Sequence, residues 1–100
     1  MIRVAGNTVD DSTMASLEYA VEHLQVKVLM VLGHEGCGAV RAAMASDQEI
    51  AKHPPALCKV LGEVKKGLHI ERLKTICDCR ARDREAVSAN VRNQIEQLKD

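Results

Sequence analysis

Apolar positions along this 100-residue chain change their period from segment to segment. Met1 to Val4 is a short apolar stretch stopped by Gly6-Asn7, which predicts a brief strand. Met14, Leu17, Val21 and Leu24 then recur at spacings of 3, 4 and 3. That is one apolar stripe on a helix from about Ser12 to Leu24, with Asp10, Asp11 and Ser12 available to cap its start. Val26 to Leu32 is nearly continuous and partly β-branched, the pattern of a parallel strand covered on both faces. Strand, helix and strand in about 30 residues predict a right-handed βαβ unit.

Beyond Gly33 the pattern turns helical. Cys37 to Ala45 is rich in alanine and predicts a helix, and His53-Pro54-Pro55 breaks the run. Leu57, Val60, Leu61, Val64 and Leu68 form a second helical stripe, while Leu73 to Ile76 fits neither period cleanly. Asp83 is placed to cap a last helix over 83–98 whose stripe is Val87, Val91, Ile95 and Leu98. The expected fold class is α/β: a small parallel sheet built on the βαβ unit, flanked by helices, with residues 1–100 as a single domain. Two strands alone make no stable sheet, so the sheet is expected to be completed by oligomerisation, as a homodimer or a higher homo-oligomer.

Composition narrows the partners. Fourteen basic residues balance fourteen acidic ones, so the chain has no electrostatic footprint for nucleic acid or an anionic membrane. Without Phe or Trp, and with Tyr19 alone, it has no platform for stacking bases. No run approaches the roughly 18 apolar residues of a membrane span. Met1 to Asn7 lacks the three regions of a secretory signal, and the chain is read as cytoplasmic. In that setting Cys37, Cys58, Cys77 and Cys79 are expected as reduced thiols: core residues, metal ligands or reactive groups.

The sharpest chemistry lies in Gly33-His34-Glu35-Gly36-Cys37-Gly38-Ala39-Val40. It follows the predicted buried strand and opens a helix, where ligands bind in open α/β sheets. His34 and Cys37 are a nitrogen donor and a thiolate three residues apart, and one tight turn can aim both at a zinc ion. Gly36 and Gly38 remove side chains where that turn is tight. The helix dipole favours thiolate at Cys37. Spacing alone leaves a second reading open, with His34 a turn residue and Cys37 a core thiol.

Three stretches together resemble the β-class carbonic anhydrases: Arg3-Val4-Ala5-Gly6-Asn7, Ser16-Leu17-Glu18-Tyr19-Ala20-Val21-Glu22-His23-Leu24, and Val31 to Val40. Asn90 to Leu98 is similar to that family's later helix, so the resemblance runs over nearly the whole chain. It implies zinc on His34 and Cys37 and reversible hydration of carbon dioxide to bicarbonate. Zinc serves that reaction by pulling the pKa of bound water toward neutrality. Family members also carry an earlier strand with Cys-x-Asp-x-Arg, which supplies a third zinc ligand and an Asp–Arg pair. That motif and the family's following strand have no counterpart in these residues, and Val4 stands where the family commonly has Asn.

Cys77-Asp78-Cys79-Arg80 offers thiolates, a carboxylate and a guanidinium, but its spacing differs from Cys-x-Asp-x-Arg. Cys77 or Cys79 as a further zinc ligand and the same stretch as a plain surface turn both remain open. A disulfide between the two is disfavoured by so short a loop. His23, His53 and His69 are read as surface or packing residues, and Cys58 as a packed or half-exposed thiol. Asp10 and Asp11 are read as a helix start. Arg80, Arg82 and Arg84 are read as a solvated face. Three functions follow: a shortened carbonic-anhydrase-like lyase, a non-catalytic zinc-binding or assembly module that kept the fold, and a thiol protein using Cys37 with Cys77 or Cys79.

Overall fold

In the computed structural model, which describes residues 1–99, Asp10 opens the first helix. Its Oδ1 accepts the backbone N–H of Thr13 at 2.8 Å, and this bond holds the carboxyl below its ordinary pKa. Helix α1 runs over Asp11–His23, as the stripe predicts. Five more helices follow: α2 Gly38–Ala43, α3 Asp47–Ile50, α4 Pro55–Lys66, α5 Ile70–Lys74 and α6 Cys79–Leu98. Ser46 caps α3 by accepting from Glu49 N at 3.2 Å, and Pro55 takes the first position of α4, where no N–H is needed. A single 3-10 turn, Ala5–Asn7, precedes α1.

The expected parallel sheet is not there. Among the described residues there is no strand; Met1 to Val4 and Val26 to Leu32 are non-helical and carry no ladder. A ladder needs neighbours on both sides of a strand of this interior type, and the chain offers only two candidate segments. The turn after the first segment does meet the end of the second, because Asn7 Nδ2 donates to the carbonyl of Leu32. One side-chain bond from that turn is too little to align the two segments.

The core is helical instead. Val40 and Ala43 of α2, Leu61 and Val64 of α4, Leu73 of α5, and Ala86 and Ala89 of α6 are buried together, with Ile50 and Leu68. α2 packs on both α4 and α6, and α5 packs on α6. Arg41 Nη2 of α2 donates to Asp83 Oδ2 of α6 at 2.8 Å, so Asp83 ties two helices rather than capping one. The cap is Asp78, whose Oδ1 accepts Arg80 N at 3.1 Å and starts α6 earlier than expected.

The buried face of α6 also differs from the apolar stripe. It carries Ala86, Ala89, Asn90 and Gln94, while Ile95 is exposed. Alanines let α6 approach closely, and two amides find work there. Asn90 Nδ2 donates to the carbonyl of Gly6 at 2.6 Å, Gln94 Nε2 to Asn90 Oδ1 at 3.1 Å, and Val9 N to Gln94 Oε1 at 3.1 Å. The chain clamps its amino-terminal segment to α6 with these bonds. No buried side-chain N or O atom is left without a partner among the described residues.

α1 and the segment after it stay outside this core. No residue of α1 is buried, and Val21, Leu24, Val28, Met30 and Leu32 are exposed. The chain presents 7197 Å² to solvent. A folded monomer of this mass presents about 5,600 Å². The surplus is about 1,600 Å², and the exposed apolar side chains of α1 and of the segment after it contribute to it.

The amide clamp predicts a ranking of substitutions. Asn90→Ala or Gln94→Ala leaves a buried partner unsatisfied and is expected to cost about 1–3 kcal/mol. Ile95→Ala, at an exposed position, is expected to fall within about 0.5 kcal/mol of the parent. Urea unfolding midpoints for the three variants check the order; equal losses at 94 and 95 would contradict the clamp.

Candidate metal centre

Gly33 brings the chain against α6. A Cβ there would sit 2.7 Å from Val87 Cγ1 and 2.8 Å from Val91 Cγ2, so a larger residue would push the segment off the helix. Two residues later Glu35 reaches the first turns of the same helix. Arg80 grips it with two bonds, Nε to Oε1 at 3.3 Å and Nη2 to Oε2 at 3.4 Å, and Arg84 Nε donates to Oε1 as well. The turn therefore runs antiparallel to α6, from Val91 back toward its amino end. Gly36 then closes it at φ +69°, with open space where a Cβ would be; the need for glycine here is conformational.

This turn presents His34 and hands the chain to α2 through Cys37, the residue before the helix. His34 Nδ1 lies 2.8 Å from the carbonyl of Glu35. A carbonyl only accepts, so the contact requires a proton on Nδ1 and leaves the lone pair of Nε2 for a metal. Cys37 is half-buried and packs against the helical core. An imidazole nitrogen and a thiol are donors zinc favours. In kind, the pair fits the metal. In number it falls short: among the described residues, no three His, Cys, Asp or Glu side chains come together as a metal site.

Cys77 and Cys79 are free and exposed. Cys77 precedes α6 and Cys79 begins it, so Cys77 to Arg80 forms the capped end of a helix and not a loose turn. The Arg80–Glu35 contact brings that end to the His34 turn, yet the two thiols complete no metal cluster with it. Cys79 Sγ instead accepts from Arg82 Nη2 at 3.2 Å. Cys58 Sγ donates locally to the carbonyls of Ile50 and His53, each at 3.0 Å, as a packed thiol does. His23 lies against Tyr19 with ring centroids 4.7 Å apart, and His69 precedes α5 without capping it.

Two surface cavities lie elsewhere. One, of about 420 Å³, is walled by α3 and α4 around Cys58 and Lys65; the other, of about 610 Å³, lies among Arg41, Leu73, Cys79 and Arg82. Neither is lined by His34 or Cys37. The arginines are what the reading of the sequence missed. Arg80 and Arg84, spaced one helical turn apart, form a clamp on Glu35 rather than a plain solvated face. The available signal was a lone carboxylate inside the chemistry-bearing turn, which needs a cationic partner to be held.

The clamp has a pH signature. Hydrogen bonds from Arg84 and then Arg80, with their charges, hold the Glu35 carboxyl below its ordinary value of 4.5. Because the folded pKa is depressed, the clamp is whole above the unfolded pKa and is lost as pH falls through the folded value. Carbon-detected NMR of the Glu35 carboxyl is expected to titrate below an unpaired glutamate, and Arg84→Ala to move it upward. A midpoint unchanged by Arg84→Ala would contradict the clamp.

The family model described as carbonic anhydrase matches residues 1–100. Carbonic anhydrase 2 of Mycobacterium tuberculosis (strain CDC 1551 / Oshkosh) is 48% identical over 46 residues, covering 46% of this chain and 22% of the relative. A carbonic anhydrase of Mycolicibacterium smegmatis is 43% identical over 49 residues, 49% of this chain and 24% of the relative. One from Emericella nidulans is 51% identical over 37 residues, 37% of this chain and 16% of the relative. The matched stretches thus span about a quarter or less of these relatives. No solved structure matches the chain. The full-length match to the family model, with the His34-x-x-Cys37 turn inside it, places the chain in the carbonic anhydrase family, in its β class.

Proposed function

We propose that this chain carries one half of a carbonic-anhydrase zinc centre, with His34 and Cys37 as its metal donors. The observation that carries this is the His34 ring, whose Nδ1 is engaged by the Glu35 carbonyl, which leaves the Nε2 lone pair free for a metal. Zinc, when bound, would supply the Lewis acid for reversible hydration of carbon dioxide to bicarbonate. This chain's own residues supply orientation. Glu35, gripped by Arg80 and Arg84, fixes the turn between the donors; Gly36 supplies its left-handed residue; Cys37 is anchored by core packing.

Two donors leave the rest of the coordination shell to water or to groups from outside the described residues. Structural zinc usually takes four protein ligands, and catalytic zinc three. The chain by itself is therefore proposed as a zinc-binding module of the carbonic anhydrase family with little hydration activity, the non-catalytic reading. A lyase is what the half-site becomes when further donors complete it. Its four free thiols suit a reducing compartment such as the cytoplasm.

A competition titration against a chromophoric zinc chelator tests this. One zinc per chain is expected, with a dissociation constant of about 1 μM or weaker. That is under about 8 kcal/mol, against roughly 10–16 kcal/mol for four-ligand structural sites. His34→Ala and Cys37→Ser should each abolish binding while the helical circular dichroism stays unchanged. Stopped-flow carbon dioxide hydration should remain near the buffer rate. Zinc held equally well by both variants would overturn the assignment, and rapid hydration by the isolated chain would overturn the non-catalytic reading.

A further inference from the structure

Helix α6 carries arginines at alternate positions of its first turns, Arg80, Arg82 and Arg84. On a helix of 3.6 residues per turn, Arg80 and Arg84 share a face and Arg82 points away from it. The first two are spent on Glu35. Among the described residues Arg82 pairs with no carboxylate; its side chain donates only to the Cys79 sulfur, a weak acceptor. It lines the cavity of about 610 Å³ walled by the end of α2, by α5 and by the start of α6. Arg41 and Lys74 line the same cavity. The one carboxylate of the wall, Asp83, is already held by Arg41 at 2.8 Å. Three cations against one carboxylate leave the wall at +2, in a chain whose net charge is zero. Glu71, off the wall, lies 3.7 Å from Lys74, but both side chains are well exposed and such a pair is weak. Between the cations the wall is aliphatic, with Met44, Ile70 and the buried Leu73.

We infer that this cavity is a binding site for a small aliphatic anion, a short hydrocarbon chain ending in a carboxylate or a phosphate. Charge selects the head. Arg82 offers a guanidinium fork that no carboxylate of the chain has taken, and such forks match carboxylate and phosphate oxygens alike. The wall selects the body. Met44, Ile70 and Leu73 favour a saturated chain, and a nucleotide base would find no ring to stack on, because Tyr19, the one aromatic residue, lies on α1. Size agrees, since small-molecule sites run from about 300 to 1,000 Å³. With its head on Arg82 the ligand covers Cys79, whose sulfur the same guanidinium holds at the cavity wall. His34 and Cys37 do not line this cavity, so the inference does not rest on the zinc assignment and survives its failure.

Calorimetric titration of the whole 100-residue chain with octanoate and with octyl phosphate is the test. At least one is expected to bind with a dissociation constant of about 0.1–1 mM, as suits a ligand of about ten non-hydrogen atoms, and the tighter of the two names the head group. Octanol, which lacks the charge, and inorganic phosphate, which lacks the chain, should each bind about 10-fold more weakly or worse. Arg82→Gln should raise the dissociation constant about 10-fold with unchanged helical circular dichroism, whereas Lys66→Gln, on α4 and outside this cavity, should leave it alone. Alkylation of the parent chain by iodoacetamide gives a second readout that needs no variant. The ligand should slow the reaction of Cys79, while Cys77, exposed and off the wall, keeps its rate. Octanol or inorganic phosphate binding as well as the aliphatic anion would overturn the inference. So would an affinity indifferent to Arg82→Gln, Cys79 left unprotected, or no binding by either octyl ligand.

Discussion

Asn90 and Gln94 sit on the inner face of α6 with almost no access to water, 2% and 1% exposed. Buried amides of this kind are tolerable only if every polar atom is paired, and here the partners come from the far end of the sequence: the Gly6 carbonyl, the Val9 N–H and each other. That pairing fixes where the amino-terminal segment lies on α6. The close helix approach permitted by Ala86 and Ala89 then sets α2, and with it the residue before α2, Cys37. The position of the His34–Cys37 turn is thus a consequence of a polar lock and an alanine face, reached from two directions.

The turn itself is held by charge more than by packing. Glu35 and its two arginines are half-exposed or more, so each ion pair contributes little to global stability. Their effect is geometric. A forked guanidinium on both carboxylate oxygens, with a second guanidinium on one of them, leaves the turn one place to sit. His34 gains its tautomer from the neighbouring carbonyl and Gly36 its backbone from the lack of a Cβ. A turn with so few supports of its own depends on α6 beside it, which is why Gly33 has to pass within contact of Val87 and Val91.

Much of this was legible in the residues. Asp10 as a cap, the 3-4-3 stripe of α1, the break at His53-Pro54-Pro55 ahead of α4 and the turn between His34 and Cys37 all follow from local chemistry. The start of α6 was misplaced because Asp78 and Asp83 are equal as caps by type; only the Arg41 partner of Asp83 decides between them. The buried side of α6 was misread because apolar periodicity is blind to amides buried with partners from elsewhere. The parallel sheet failed for a larger reason. Val26 to Leu32 has the pattern of an interior strand, but a pattern states what a segment needs, and the neighbours it needs are not among these residues. Exposed Val28, Met30 and Leu32 are that unmet need made visible.

The proposed centre offers zinc two protein donors, His34 and Cys37. X-ray absorption at the zinc edge counts donors by type. A single sulfur neighbour at about 2.3 Å and a single imidazole nitrogen are expected, the remaining positions being oxygen from solvent. Two or more sulfurs in the shell would mean that Cys77 or Cys79 joins Cys37, and would contradict the two-donor centre.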